Sequence, residues 1–352
     1  MSVLNHKKRL SGLRKAMRSA SLDSILVTNA TNVSYLSGFR GTDAVMLVTA
    51  DDGYFLTDSR YIEEAKIEMA GHLDVKPVSE SIFASIDGIA RSKKLKNLGF
   101  ESMDLPYGVA HRLKGLLSKI RFAPVKNLVE TLRSIKDEGE IERIRKAVRL
   151  AKEIFGRAAI SVRPGVSEEL VKRKIEIDLV SKGGACAFEP IIASGLNSSK
   201  PHARATGRSF KNNDFVMVDM GAKVDGYNSD FTRTIVLGRA QKRFVKIYET
   251  VSQAQRKAID HITPGAKASD IDKAGRDHIK QNGFGRYFGH SLGHGVGMDV
   301  HEEPTISPSS KTRLAAGMVF TVEPAIYIPG FGGVRIEDMV LVTKNGCEIL
   351  TK

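Results

Sequence analysis

Cysteine is scarce in this sequence of 352 residues, which has only Cys186 and Cys347. Neither belongs to a C-x-x-C pair, so a thiolate metal site or a redox dithiol is without support, and no disulfide is required. Proline is also infrequent, and a composition of 41% hydrophobic and 27% charged residues is typical of a soluble folded protein.

Long apolar runs are missing as well. None approaches the roughly 18 to 20 residues that cross a bilayer. The start, MSVLNHKKRL, has basic residues but no apolar segment of a secretory signal behind them. We therefore expect a cytoplasmic protein without a membrane partner.

The net charge of +14 raises the question of nucleic-acid binding. Residues 1–130 carry 19 Lys and Arg against 14 Asp and Glu, and the remainder carries 35 against 26, so the excess follows chain length. The densest basic clusters, at 93–96 and 143–146, lack interleaved aromatic residues for base stacking. We expect no nucleic-acid partner.

The chain length predicts two domains. Residues 1–125 alternate between strand and helix patterns, which predicts a small α/β domain. Strand candidates are SILVTN, VMLVTA, YFLTD and LGFE, and helix candidates lie near 59–70, 81–91 and 107–119. VMLVTA and YFLTD flank a turn at 51–53, which predicts a hairpin. A second domain is expected over 130–352, and its first element is a helix over 138–159 with apolar residues three to four apart.

The second domain repeats its own pattern at an offset of about one hundred residues. R-P-G at 163–165 precedes a helix pattern that ends at Gly183, and T-P-G at 263–265 precedes one that ends at Gly283. Each helix is followed by a glycine-rich segment with histidine and then by two apolar strands that carry an acid. These acids are Asp219 in FVMVDMGA, Asp230 in SDFTRTIVL, Glu323 in VFTVEPAIY and Glu337 in VRIEDMVLV.

The four acids are predicted to approach one another in pairs. A hairpin closed at 225–226 would bring Asp219 and Asp230 within about one pairing position, and the PGFGG turn would do the same for Glu323 and Glu337. A single acid at a strand end is as often an exposed surface residue as a functional one, but four acids in matched positions favour a functional site. Apposed carboxylates imply either raised pKa values, as in an acid dyad, or a bound cation.

His294 lies in G-H-G-V-G, where the glycines are expected to let the backbone approach an ion and leave the imidazole free to bind it. A lone histidine is more often a satisfied core residue, but the neighbouring acids favour a metal ligand. An oxygen-rich set with one imidazole suits two divalent ions such as Mn²⁺, Co²⁺, Fe²⁺ or Zn²⁺. Two ions about 3.5–4 Å apart would activate a water and polarise a carbonyl.

GHSLG at 289–293 also matches G-x-S-x-G and offers Ser291 as a nucleophile. That motif requires an apolar strand before the serine and a helix after it. Both flanks are instead glycine-rich, and His294 and His301 lie too near in sequence for the usual distant base. The serine mechanism is the weaker alternative.

The order Asp219, Asp230, His294, Glu323, Glu337 resembles the five-ligand dimetal site of the creatinase/methionine aminopeptidase-type metallopeptidases. The resemblance covers residues 130–352. Residues 1–125 resemble the amino-terminal domain of the Xaa-Pro peptidase branch, which methionine aminopeptidases generally lack. The implied fold class is α+β, with a carboxy-terminal pita-bread domain containing a pseudo-twofold repeat and a smaller α/β creatinase-type domain before it.

The resemblance also implies roles for the five ligands. Asp219 would bind one ion, Asp230 and Glu337 would bridge both, and His294 with Glu323 would complete the second. Glu323 would in addition carry a proton from the attacking water to the leaving proline nitrogen.

Substrate-binding roles follow by the same resemblance. His202, His290 and His301 would line the cleft, and His202 and His301 would act with Glu323 in catalysis by orienting the carbonyl and stabilising the intermediate. Arg335 would bind on the substrate side and steady a ligand carboxylate, because strand alternation places it on the face of Glu337. An ordinary surface arginine is the alternative.

The implied activity is hydrolysis of the Xaa-Pro bond in peptides with proline in second position. The resemblance implies two divalent ions, with Mn²⁺ as the first candidate, and a homodimer. Some prolidases of the family have Arg directly after H-E-x-P, where this chain has Thr305. That difference favours aminopeptidase P, with prolidase, the Xaa-Pro dipeptidase, as the alternative. A non-catalytic binding module or a metal-independent hydrolase on the same fold is disfavoured by the complete ligand set.

Overall fold

The computed structural model describes residues 3–69, 71–78 and 81–352. The chain forms two compact units that divide between Arg133 and Ser134. No helix within the described residues is both long enough and apolar enough to cross a membrane.

The first unit is a mixed six-stranded sheet with helices. Its strands are β1 (Ser24–Val27), β2 (Ala44–Thr49), β3 (Gly53–Thr57), β4 (Asp74–Pro77), β5 (Asn97–Glu101) and β6 (Arg121–Val125). Its helices are α1 (Val3–Ser19), α2 (Ala30–Ser37), α3 (Ile62–Glu68), α4 (Ile82–Ser92), α5 (Tyr107–Leu116) and α6 (Leu128–Arg133). The strand order is β4-β3-β2-β1-β5-β6. The predicted hairpin is confirmed, because β2 and β3 pair antiparallel from Ala44↔Thr57 to Val48↔Gly53. Ala70, the predicted end of the helix near 59–70, lies outside the described residues.

The second unit contains four long helices and several small sheets. The helices are α7 (Glu138–Ser161), α8 (Glu168–Ser181), α9 (Lys242–Asp260) and α10 (Ala268–Gln281), and short 3₁₀ turns lie at Gly195–Ser199 and Gly285–Tyr287. The strands up to the middle of the unit are β7 (Ala185–Cys186), β8 (Ile191–Ser194), β9 (Phe215–Met220), β10 (Ala222–Val224), β11 (Tyr227–Asn228) and β12 (Phe231–Val236). The later strands are β13 (Gly293–Gly295), β14 (Glu302–Ile306), β15 (Val319–Val322), β16 (Ala325–Ile328), β17 (Gly332–Arg335), β18 (Asp338–Val342) and β19 (Cys347–Ile349).

The predicted helix over 138–159 is confirmed as α7. Asp137 begins it with a capping box, in which its carboxylate accepts from the Glu140 N–H at 2.9 Å and the Glu140 carboxylate accepts from the Asp137 N–H at 3.0 Å. The predicted apolar stripe is buried at Ile144 and Val148. It therefore forms part of the core rather than a solvated face.

The internal repeat is present in three dimensions. α8 and α10 each span 14 residues, and each follows a glycine with positive φ, Gly165 at 90° and Gly265 at 87°. In the first half, α7 and α8 pack on an antiparallel sheet of order β12-β9-β8. In the second half, α9 and α10 pack on one of order β14-β13-β15-β18-β19. The acid-bearing strands β9 and β12 thus correspond to β15 and β18.

Candidate active site

The first pair of acids lies on the β9–β12 hairpin. Its ladder places Thr232 opposite Asp219, and the linking turn contains Asp225 at φ 51° and Gly226 at φ 83°, as the D-G turn predicts. Asp230 precedes Thr232 by two residues, so it lies diagonally across from Asp219 on the same face. The offset is two residues rather than the predicted one.

The second pair lies between two ladders of identical register. β15 and β18 pair at Val322↔Asp338, and β16 and β17 pair at Ala325↔Arg335, so Glu323 and Glu337 face each other between them. At this gap, the backbones of the two acids form hydrogen bonds with other segments. The Glu323 N–H donates to Leu292 O at 2.8 Å, and the Glu337 N–H donates to Thr232 O at 3.2 Å. The second bond ties Glu337 to the strand of the first pair.

His294, in β13, completes the group. Its Nε2 lies 3.7 Å from Asp230 Oδ2 and 3.4 Å from Glu323 Oε1. Ligand atoms of Asp230, His294 and Glu337 all lie within 4.8 Å of one another, a spacing that fits a metal ion.

The glycines that flank His294 have a packing function. A Cβ on Gly293 would lie 1.9 Å from Thr321 O, and one on Gly295 would lie 2.2 Å from Glu303 O. Only glycine lets β13 fit between the neighbouring strands. Packing thus gives these glycines a role of their own, and the expected approach of the backbone to an ion stays a prediction.

Burial dominates the electrostatics of the carboxylates. Desolvation, followed by repulsion from the other carboxylates, raises the pKa of Asp230 and of Glu337 well above the ordinary range. Burial raises the pKa of Glu323 to about 7, and it raises the pKa of Asp219 against the opposing effect of Arg335. Without a cation, it is therefore unfavourable to bring these carboxylates together in their charged forms.

The imidazole of His294 responds in the opposite direction. Burial, and then the charge of His301, lower the pKa of His294 to about 4. The ring is therefore neutral at physiological pH and keeps a lone pair for a metal ion.

Arg335 is buried beside the acids, with 4% of its surface exposed. Its Nη2 forms an ion pair with Asp219, its Nε donates to Thr232 Oγ1 at 3.0 Å, and its Nη1 donates to Tyr327 OH at 2.6 Å and to Pro201 O at 3.2 Å. The geometry fits a residue that steadies a ligand carboxylate, although the carboxylate is that of Asp219 rather than Glu337. Its substrate-binding role stays a prediction.

Two threonines extend the network, although neither was predicted as a site residue from the sequence. Thr232 Oγ1 donates to Glu337 Oε2 at 2.6 Å, and Thr321 Oγ1 donates to Glu323 Oε1 at 3.2 Å while accepting the His294 N–H at 3.1 Å. Period-two alternation from Asp230 and Glu323 would have placed both hydroxyls on the faces of the acids.

All the predicted site residues line one cavity of about 890 Å³. They are Asp219, Asp230, His294, Glu323, Glu337, His202, His290, His301 and Arg335.

Among the histidines of this cavity, burial lowers the pKa of His290 to about 4. Its Nδ1 lies 2.7 Å from Ser291 O, so Nδ1 carries the proton and the buried Nε2 is left as an acceptor. The His294 and His301 rings lie 4.2 Å apart.

Ser291 also lines the cavity, but its backbone is not that of a nucleophile elbow. A 3₁₀ turn precedes it and strand β13 follows it, where the elbow requires a strand and then a helix. The only interaction between Ser291 and His290 described by the structure involves the serine carbonyl. This arrangement is evidence against the serine alternative.

Comparison with known families gives the same picture. The family described as Metallopeptidase family M24 matches residues 142–344, and the Creatinase/Prolidase N-terminal domain matches residues 9–135. The chain belongs to metallopeptidase family M24. The protein is therefore a hydrolase of the pita-bread fold with a creatinase-type amino-terminal domain, as the resemblance implied.

Individual M24 relatives match over nearly the full length. The Xaa-Pro dipeptidase of Pyrococcus horikoshii is 39% identical, over 100% of this chain and 98% of the relative. The structure of an Xaa-Pro dipeptidase from Bacillus anthracis has a TM-score of 0.94 and 38% identity, covering 99% of this chain and 98% of that chain. The X-Pro aminopeptidase of Thermotoga maritima has a TM-score of 0.87 and 31% identity, covering 96% and 97%. Membership of M24 also implies that divalent metal ions serve the reaction.

Proposed function

We propose that the protein is an Xaa-Pro dipeptidase, a prolidase that hydrolyses the bond before proline in dipeptides. The dipeptidases of Pyrococcus horikoshii and Bacillus anthracis support this assignment, since they are more similar to this chain than the aminopeptidase of Thermotoga maritima is. The preference for aminopeptidase P rested on Thr305 alone. We therefore replace it with the alternative.

The observation that carries the proposal is the convergence of four carboxylates and one imidazole on the wall of a single cavity. Two buried oxygens, Asp219 Oδ1 and Asp230 Oδ1, have no hydrogen-bond donor within the described residues. Buried anionic oxygens without donors and a neutral imidazole are the donor set of a divalent cation. We assign two ions, with Mn²⁺ as the first choice, to Asp219, Asp230, His294, Glu323 and Glu337.

Two ions held by these five residues would supply Lewis-acid polarisation of the scissile carbonyl and activation of the attacking water. Glu323 carries the proton, because its carboxylate faces the site and can accept a proton from the attacking water and return it to the proline nitrogen. His202 and His301 orient the carbonyl, and His290 offers Nε2 as an acceptor for the substrate. The amide before proline lacks an N–H, and none of these roles requires that donor.

The test is a comparison of Ala-Pro with Ala-Pro-Ala after loading the purified protein with Mn²⁺. We expect faster hydrolysis of the dipeptide, loss of activity on chelation, and about two bound ions per chain by metal analysis. Glu323→Gln, which keeps the shape of the side chain, should abolish turnover. Faster hydrolysis of the tripeptide would instead assign the protein to aminopeptidase P, and an unchanged rate after chelation would refute the metal mechanism.

The homodimer, the cytoplasmic location and the lack of a nucleic-acid partner stay predictions. Sedimentation of the purified protein tests the first. A dimer would move as a particle of about twice the chain mass of 38.5 kDa.

A further inference from the structure

A long loop brings side chains from residues 195–206 to the cavity wall, and one buried acid holds it in place. Glu168, in the first turn of α8, is fully buried. Its carboxylate accepts from the Ser194 N–H at 2.7 Å, from Asn197 Nδ2 at 3.1 Å and from the Thr206 N–H at 3.0 Å. These bonds fix both ends of the loop, so the side chains between them have a defined position.

Two cavity-lining residues of this loop are His202 and Arg204. His202 lines the same cavity as Asp219, His290 and His301. Arg204 follows His202 by two residues, and Asn197 Nδ2 donates to its carbonyl at 3.2 Å. The backbone of Arg204 is therefore fixed at a point where the residue lines the same cavity as the proposed metal ligands.

Arg204 is distinguished by the freedom of its charge. Among the described residues that line the cavity, the arginines are Arg204 and Arg335, and lysine is not represented. Arg335 is buried and engaged by Asp219, whereas Arg204 is exposed, and no described residue forms a hydrogen bond or an ion pair with its guanidinium. Glu189, an acid on the same wall, forms an ion pair with Lys172, and the charge of Arg204 makes only a smaller contribution to lowering the pKa of Glu189.

We propose that Arg204 binds the free carboxylate of the substrate's proline and so selects dipeptides over longer peptides. This inference rests on the proposed dipeptidase function. A dipeptide presents a carboxylate on the residue directly after the scissile bond, whereas a longer peptide presents an uncharged amide there. A planar guanidinium binds a carboxylate with two parallel hydrogen bonds, and the uncharged Thr305 on the same cavity wall supplies no such cation.

The experiment compares Ala-Pro with Ala-Pro amide, which lacks the negative charge, on the Mn²⁺-loaded protein. Arg204→Ala should raise KM for Ala-Pro by about ten- to a hundredfold with a much smaller effect on kcat, because the contact is made equally in the ground and transition states. The same variant should affect the amide far less, so the preference for the dipeptide should collapse. Arg204→Lys should recover part of the preference. Lys200→Ala, which removes a cation from the same loop outside the cavity, is the matched control and should behave as the wild type.

Equal losses on Ala-Pro and its amide in Arg204→Ala, or an unchanged ratio between them, would overturn the assignment to Arg204. If the wild type prefers Ala-Pro to Ala-Pro-Ala in that case, the dipeptidase function stands and only the role of Arg204 is wrong. If the wild type prefers the tripeptide, the dipeptidase function itself fails. Metal content and circular dichroism of each variant confirm that the fold and the metal site are intact.

Discussion

Thr232 offers a sharp test of how the chain prepares its metal site. The hydroxyl donates to Glu337 Oε2 at 2.6 Å and accepts from Arg335 Nε at 3.0 Å, so it links a proposed metal ligand to the guanidinium that pairs with Asp219. Thr232→Val keeps the volume of the side chain and removes both bonds. Thr232→Ser keeps the hydroxyl and serves as the matched control.

The magnitude follows from the two lost bonds. Each involves a charged group and contributes about 1.5–3 kcal/mol, but part of this loss falls equally on the metal-free and metal-bound forms. Loss of a group that orients a metal ligand lowers affinity by about 10- to 100-fold, or about 1.4–2.8 kcal/mol. The pKa of Glu337 argues for the same decrease in affinity. The hydrogen bond from Thr232 lowers this pKa, so removing the bond makes the proton on Glu337 harder for an ion to displace.

The assay is calorimetric titration of Mn²⁺ into metal-stripped protein at one fixed pH. We expect weaker binding by Thr232→Val in the stated range and near-wild-type binding by Thr232→Ser. Wild-type affinity in Thr232→Val would show that the hydroxyl does not prepare the site. An equal loss in Thr232→Ser, which keeps the hydroxyl, would show that the lost hydrogen bonds do not account for the effect.

Two further predictions concern stability, measured by urea titration. Lys136→Met should lower the free energy of unfolding by about 3–5 kcal/mol, because it removes the ammonium 2.7 Å from a carboxylate oxygen of the buried Glu302. The double variant with Glu302→Gln should recover part of this loss, and no recovery would mean that the charge pair is not the cause. Burial lowers the pKa of His6 to about 4 in the folded chain. As the pH falls below about 6.5, the unfolded chain takes up a proton at His6 and the folded chain does not. The free energy of unfolding should therefore fall by about 2 kcal/mol between pH 7 and pH 5. His6→Phe should remove that part of the pH dependence, and an unchanged slope would refute the assignment to His6.

The sequence predicted the elements with strong periodicity and missed those at the sheet edges. β1, β2, β3, β5 and α7 were recognisable from alternating or helical apolar patterns. β4 contains Pro77 and β6 contains Pro124, and proline inside a strand pattern argues against a central strand. Both strands are indeed the outer strands of the six-stranded sheet. α2 was missed because eight residues with several polar side chains show too little periodicity.

The candidate metal ligands were accessible to sequence reasoning because the repeat presents an acid at matching positions of four strands. The groups that support them were not. Threonine in a strand is ordinary, so Thr232 and Thr321 carry no signal unless their faces are already known. The ion pair between Lys136 and Glu302 joins residues far apart in the chain, and no local pattern encodes such a contact. Arg204 becomes notable only when the structure places it on the cavity wall, with no hydrogen bond or ion pair from its guanidinium to a described residue.

The proposed metal site depends on both halves of the repeat, since Asp230 belongs to the first hairpin whereas His294 and Glu337 belong to the second half. The halves are joined beside the site by the bond from the Glu337 N–H to Thr232 O and by the ion pair of Arg233 with Asp338 at 2.6 Å. Because the buried carboxylates repel one another, they oppose this packing until a cation arrives. Ion binding and the packing of the two halves are therefore thermodynamically linked, and a change that loosens the junction must weaken ion binding as well.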